Sequence, residues 1–224
     1  MIKGHEIVDQ REEERALKIT QQFLINLARK RSKMKKKARA DLNNSQLGFL
    51  EHKRKKKWVD QKTGCICFML YARSLYVTWG AKSENWAWNC FKETSDENIE
   101  VAKLEAVCWL DVRGKVNMSE LSPEVVYEVV YEVKLKRGAY GWELPIILKL
   151  SLPDERIQQR YVSLLEKPRG EWIELSVGCF KLKNGESGEV GFDIMEHGGH
   201  WKSGLIIRGA ILRPSQRMSS TDDL

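Results

Sequence analysis

Between Tyr127 and Leu135 the chain alternates. Tyr127, Val129, Tyr131, Val133 and Leu135 fall on one face and Glu128, Glu132, Lys134 and Lys136 on the other, with Val130 the single break. A period of two is that of a half-buried β-strand. The same alternation sets Ile173, Leu175 and Val177 against Trp172, Glu174 and Ser176, and Leu75, Val77 and Trp79 against Tyr76 and Thr78. Val107 to Val112 and Leu205 to Leu212 are apolar enough to predict buried strands, with Trp109 in the core. Turn residues break the pattern at Gly114, Pro123, Gly138 to Gly141, Pro153, Pro168 to Gly170, Asn184-Gly185 and Gly198-Gly199. Many strands with regular turns and no helical period predict an all-β fold, an antiparallel β-sandwich of jelly-roll type.

The first quarter of the chain reads differently. From Glu6 to Ala40 there is no Gly or Pro, and Ala16, Ile19, Phe23 and Leu27 recur at helical spacing, which predicts one long, weakly amphipathic α-helix. Its acidic start (Glu12 to Glu14) and basic end (Arg29 to Arg39) suit the helix macrodipole. The predicted organisation is therefore a helical basic extension over 1–40, a basic linker over 41–57, the sandwich over 58–214 and a loose polar tail over 215–224.

Charge follows that division. Of a net +7, the first 57 residues hold 17 Lys and Arg against 7 Asp and Glu, so the remainder is net acidic. A 42% hydrophobic content is enough for a full core. The start carries no apolar leader and no apolar run nears 18 residues, which predicts a cytoplasmic or nucleocytoplasmic chain with no membrane contact. Five cysteines in such a chain are expected as free thiols. The sole His pair, His197-Gly-Gly-His200, lacks a second ligand pair at zinc spacing, so neither metal nor cofactor is expected.

The densest chemistry lies between Ser74 and Phe91, where Trp79, Trp86 and Trp88 surround a polar insert. Trp79 ends one predicted strand and Trp86 opens the next, across Gly80, Ser83, Glu84 and Asn85. Indoles at the mouth of such a loop can serve as flat stacking faces for a sugar, although core packing is the commoner fate of Trp.

The order of motifs closely resembles the phloem lectin family (phloem protein 2), which is related to the Nictaba-like lectins. The resemblance is carried by L-Y-V-T-W ending at Trp79, N-W-A-W ending at Trp88, N-I-E-V-A-K-L from Asn98, V-C-W-L-D-V-R-G-K from Val107, G-E-V from Gly188, M-E-H from Met195, W-K-S-G from Trp201 and the R-P of Arg213 and Pro214. It implies a β-sandwich similar to carbohydrate-binding modules, with no catalytic activity. It also implies binding of N-acetylglucosamine oligomers such as chitin fragments and the core of N-glycans on N-glycosylated proteins, in phloem sap and sieve elements and in plant defence. The family's site residues fall on Trp79, Trp86, Glu189 and Glu196, with Trp88 left to the core. Gly80-Ala81-Lys82 and Asn85 depart from the family pattern, which bears on the preferred glycan more than on the class. Seven positions along a regular strand put two side chains on opposite faces, so a shared site requires Glu196 to lie past the strand end or after a bulge.

Two other functions compete. Lys35, Lys36, Lys37, Lys55, Lys56 and Lys57 are dense enough to contact the phosphates of RNA, against a solvated helix end as the plain alternative. Exposed cysteines allow a structural phloem protein, as a homodimer or disulfide-linked to a partner. A glycosidase using Glu189 and Glu196 finds no support, since nothing in the sequence marks a nucleophile or an acid of raised pKa.

Overall fold

A computed structural model describes residues 21–22, 25–26, 48–89 and 99–215. Internal packing divides the chain into two units, 1–45 and 46–224, and the described residues of the second form thirteen strands in two antiparallel sheets. The larger sheet begins with β1 (Gly48–Leu50), β2 (Lys55–Val59) and β3 (Ile66–Tyr71), followed by β13 (Ser203–Pro214). On the flank shared with β3, β13 also meets β6 (Val101–Leu104), which carries β5 (Trp86–Asn89). Its other flank pairs with β8 (Val125–Tyr140), which in turn pairs with β11 (Trp172–Leu182). The smaller sheet runs β10 (Ile157–Val162), β9 (Ile146–Ser151), β12 (Glu189–Glu196), β7 (Leu110–Asn117) and β4 (Tyr76–Val77).

The alternation read in β8 sets the core. Tyr127, Val129, Tyr131, Val133 and Leu135 are all buried, and they face Val190, Phe192 and Ile194 of β12 and Leu148 and Leu150 of β9 in one cluster between the sheets. Tyr131 meets the Phe192 ring edge-on at 5.9 Å and donates its hydroxyl to Phe192 O across the sandwich at 2.8 Å. Burial holds that hydroxyl well above its ordinary pKa, so it remains a donor. Tyr127 pins the turn before β8, accepting from Ser122 N and donating to Ile66 O.

The edge strand β11 is covered without a backbone neighbour. From β10, Gln158 Nε2 donates to Cys179 O at 2.7 Å while its Oε1 accepts from Cys179 N at 3.3 Å, and Arg160 Nη1 donates to Ser176 O at 3.0 Å.

The N-terminal boundary differs from the expectation. Part of the predicted linker is β1 and β2, and Lys55 is buried, with Nζ 2.7 Å from Glu120 Oε2 and over the Phe68 ring at 4.7 Å. A Lys run composed like a linker is thus a sheet strand, because its stems and ammonium groups find partners far along the chain. The predicted helical extension over 1–40 lies outside the described residues except for Gln21, Gln22, Ile25 and Asn26, whose backbone is helical; Cys90 and the tail beyond Ser215 also lie outside. Among the described residues no helix is long and apolar enough to cross a membrane. The four described cysteines are free thiols, and burial pushes Cys67 up to about 12.

A chain beginning at Gln46 should unfold cooperatively. One beginning at Trp58 strips β1 and most of β2 from β3 and should lose about 3 kcal/mol, or about 6–12 °C in Tm. Differential scanning calorimetry of the two truncations checks this, and equal Tm values would show that β1 and β2 do not support the sheet.

Candidate functional site

At one end of the smaller sheet, where β4 stops, β7 begins and β12 ends, the segments 78–85, 105–109 and 197–202 converge. The first is a chain of tight turns. Gly80 N donates to Val77 O, Lys82 N to Trp79 O, and both Asn85 N and Trp86 N to Lys82 O, all between 2.9 and 3.0 Å. Trp79 sits within these turns at φ +58°, a left-handed conformation that costs a bulky residue about 1–3 kcal/mol. Two indoles of β5 hold it there. Trp86 Nε1 donates to Thr78 O at 3.1 Å and Trp88 Nε1 to Gly80 O at 2.6 Å, so the carbonyls on either side of Trp79 are both engaged. Trp79 itself is 40% exposed.

Trp86 is 2% exposed and packs in the core. Its assignment as a stacking face is therefore corrected: a buried indole offers no face to a ligand, and its role is to brace the turn. Trp88 is half-buried and carries the Arg73 guanidinium over its ring at 3.9 Å, which Glu100 holds through two hydrogen bonds of 2.7 and 2.9 Å.

Segments 78–85 and 105–109 are joined by Asn85, whose Nδ2 donates to Ala106 O at 2.9 Å and whose O accepts from Glu105 N at 2.8 Å. Segments 105–109 and 197–202 are joined by a two-bond bridge between Val107 and Lys202. The Lys202 side chain is 0% exposed. Its ammonium donates to Cys108 O at 2.7 Å and His200 O at 2.9 Å and pairs with the Glu196 carboxylate, whose other oxygen accepts from Gly198 N at 2.8 Å.

Trp109, expected in the core, is 45% exposed and stacks on His197 with 3.9 Å between centroids and 9° between planes. The reason is parity. In β7 Leu110, Val112, Gly114 and Val116 point inward, so Asp111, Arg113 and Lys115 point outward, and Trp109 continues that outward set. Beside it, Asp111 is buried, accepts from Arg113 Nε and Nη2 at 2.8 and 2.6 Å, and lies 3.5 Å from His197 Nε2. This pairing raises the Arg113 pKa further, so the guanidinium stays charged. Thr78 N donates to Asp111 O at 3.0 Å, so the turn that carries Trp79 starts beside Asp111 on one side, and His197 follows the end of β12 on the other. Trp201, beside the anchored Lys202, is 58% exposed. Behind this end a row in register crosses all five strands: Tyr76, Arg113, Asp193, Lys149 and Gln159. Burial pushes the Asp193 carboxyl up, against the opposing pull of Lys149 and Arg113.

The two carried-over glutamates do not meet. β12 runs without a bulge from Glu189, opposite Asn117, to Glu196, opposite Leu110. At about 3.3 Å per residue they are about 23 Å apart, far beyond the roughly 5–9.5 Å of a glycosidase pair. Glu189 points to solvent and pairs with Lys115 at 3.0 Å, whereas Glu196 points inward to Lys202. Of the predicted RNA contacts, Lys35, Lys36 and Lys37 lie outside the described residues. Lys55 is spoken for by Glu120, while Lys56 and Lys57 lie over the rings of Phe49 and Phe68 at 5.4 and 5.6 Å. The described part of the basic run is therefore sheet, not a solvated basic arm.

A family model described as phloem protein 2 matches residues 65–214. The chain is 44% identical over 172 residues to Protein PHLOEM PROTEIN 2-LIKE A1 of Arabidopsis thaliana, covering 75% of this chain and 70% of that one. It is 42% identical over 169 residues to a lectin of Luffa acutangula, covering 75% and 80% respectively. Among solved structures, the CBM22-1 xylan-binding domain from Paenibacillus barcinonensis Xyn10C aligns with a TM-score of 0.39 at 11% identity, over 66% of this chain and 90% of that one, too loosely to carry an inference.

The burial pattern predicts opposite costs for two indoles. Trp86→Ala should lose about 3–5 kcal/mol, from a core cavity and the loss of the bond to Thr78 O, whereas Trp109→Ala should lose less than about 1 kcal/mol. Urea unfolding of both variants measures this, and the reverse order would mean that Trp109 is the core residue.

Proposed function

The chain belongs to the phloem protein 2 family, and on that premise we propose that it is a carbohydrate-binding lectin for N-acetylglucosamine oligomers, including chitin fragments and N-glycan cores. The observation that supports this reading is the cluster of exposed rings around one anchored carboxylate: Trp79, the Trp109–His197 stack and Asp111. An indole face packs against the C–H face of a pyranose, and neither partner needs a metal. Asp111 is itself buried and holds the exposed Arg113 guanidinium, whose remaining N–H groups can donate to a sugar hydroxyl or acetamide carbonyl.

The site we propose therefore keeps Trp79 from the carried-over set and adds Trp109 and His197, with the buried Asp111 holding Arg113 beneath them. Trp86 and Glu196 act behind it, the first bracing the turn under Trp79 and the second neutralising Lys202. Glu189 takes no part, being at the other end of its strand. The polar row from Tyr76 to Gln159 is about 19 Å long at about 4.8 Å per strand, and its alternating charges suit a neutral, hydroxyl-rich chain. A second and third sugar along that row would make oligomers bind better than the monosaccharide. Such a protein acts by binding, without chemistry of its own, and the phloem protein relatives support a place in phloem sap.

Titration with tri-N-acetylchitotriose, followed by tryptophan fluorescence, tests the reading. Trp79→Ala and Trp109→Ala should each remove a stacking face and weaken binding about tenfold, equivalent to about 1–2 kcal/mol, with an unchanged melting curve. Glu189→Gln should bind like the parent. Two folded Trp variants that bind normally would move the site elsewhere, and a folded parent that ignores the sugar would overturn the reading.

A further inference from the structure

The outer face of the larger sheet, on the opposite side of the sandwich from the polar row, holds a hollow of about 420 Å³. Its floor is apolar, made by Trp58 of β2, Met69 and Tyr71 of β3 and Ile211 of β13. The register explains both floor and opening. Lys56, Met69 and Ile211 stand side by side on three adjacent strands, and in the next row Gly209 lies between Tyr71 and Glu132. Gly209 has no side chain, and a Cβ there would collide with Leu70 O, so the space between Tyr71 and Glu132 stays open down to the backbone.

The rim is polar and built by a bulge. The pairing of β13 with β8 shifts between Ile207 and Gly209, which leaves Arg208 as the extra residue and turns it onto this outer face. Arg208 Nη1 donates to Glu132 Oε1 at 3.0 Å, but its Nε is buried with no acceptor. Lys56 supplies a second cation at the edge. Two cations against one carboxylate leave a net positive rim, and a buried N–H without an acceptor is rare in folded proteins.

We infer that this hollow binds a small amphipathic acid, a flat apolar body on Trp58, Met69 and Ile211 with its carboxylate toward the Arg208 guanidinium and Lys56 at the positive rim. The volume falls in the range of about 300–1,000 Å³ usual for small-molecule sites. A carboxylate at this rim meets two cations, in charge-assisted bonds stronger than neutral ones. The site shares no residue with the proposed glycan site, so it stands or falls independently of that reading.

Calorimetric titration of the full chain with 2-naphthoate tests it, with 2-naphthalenemethanol as the neutral control. The expected result is saturable one-to-one binding, at least about tenfold weaker for the alcohol. Trp58→Leu should weaken binding about tenfold, and the double variant Arg208→Gln/Glu132→Gln, which strands no carboxylate, should abolish the preference for the acid. Ile211→Trp, which fills the hollow, should prevent binding and replaces the double variant if that does not fold. Absence of saturable binding, equal affinity for acid and alcohol, indifference to Trp58→Leu, or competition by tri-N-acetylchitotriose would each overturn the assignment.

Discussion

An ammonium group with no exposed surface must find its solvation inside the protein, and removing it from water costs several kcal/mol unless charge and hydrogen bonds replace what is lost. Lys202 meets this demand with the Glu196 carboxylate and the carbonyls of Cys108 and His200. Those partners come from the end of β12, the segment leading into β7 and the segment leading into β13. The meeting of the connections before β7 and after β12 at one end of the smaller sheet is thus a condition of burying this one side chain. Trp109 and Trp201, each adjacent to an anchored residue, are left on the outside of the knot.

Six of the eight tryptophans fall into two groups, internal struts and exposed faces. Trp86, Trp88 and Trp142 donate to Thr78 O, Gly80 O and Ser203 O and serve as internal struts. Trp79, Trp109 and Trp201 present surface to solvent. The division is cooperative, since the strained backbone that exposes Trp79 is held by the two indoles behind it.

What was legible in the sequence was what local periodicity records. The alternation in β8 gave its buried face residue by residue, and the run from Leu205 to Leu212 gave the strand at the centre of the larger sheet. Trp109 was misread because V-C-W-L-D-V looks uniformly apolar, although its parity with Asp111, Arg113 and Lys115 was there to be counted. Trp86 and Trp79 could not be separated by residue type, because their fates depend on Thr78 O and on which sheet lies beneath each. Lys55 read as linker because Glu120, its partner, is 65 positions away in the chain. The family resemblance was visible in ordered motifs, yet two of the positions it carried over, Trp86 and Glu196, are buried, which no motif spacing reveals.

The contact between Gln158 and Cys179 has a further implication. A primary amide carries the same donor and acceptor as a peptide group, and Gln158 offers both to the N–H and C=O of Cys179 on the open side of β11. The glutamine stands in for a missing strand. Since an uncovered strand edge is a template for pairing with another polypeptide, this side chain, with Arg160 on Ser176 O, withholds the template from neighbouring molecules.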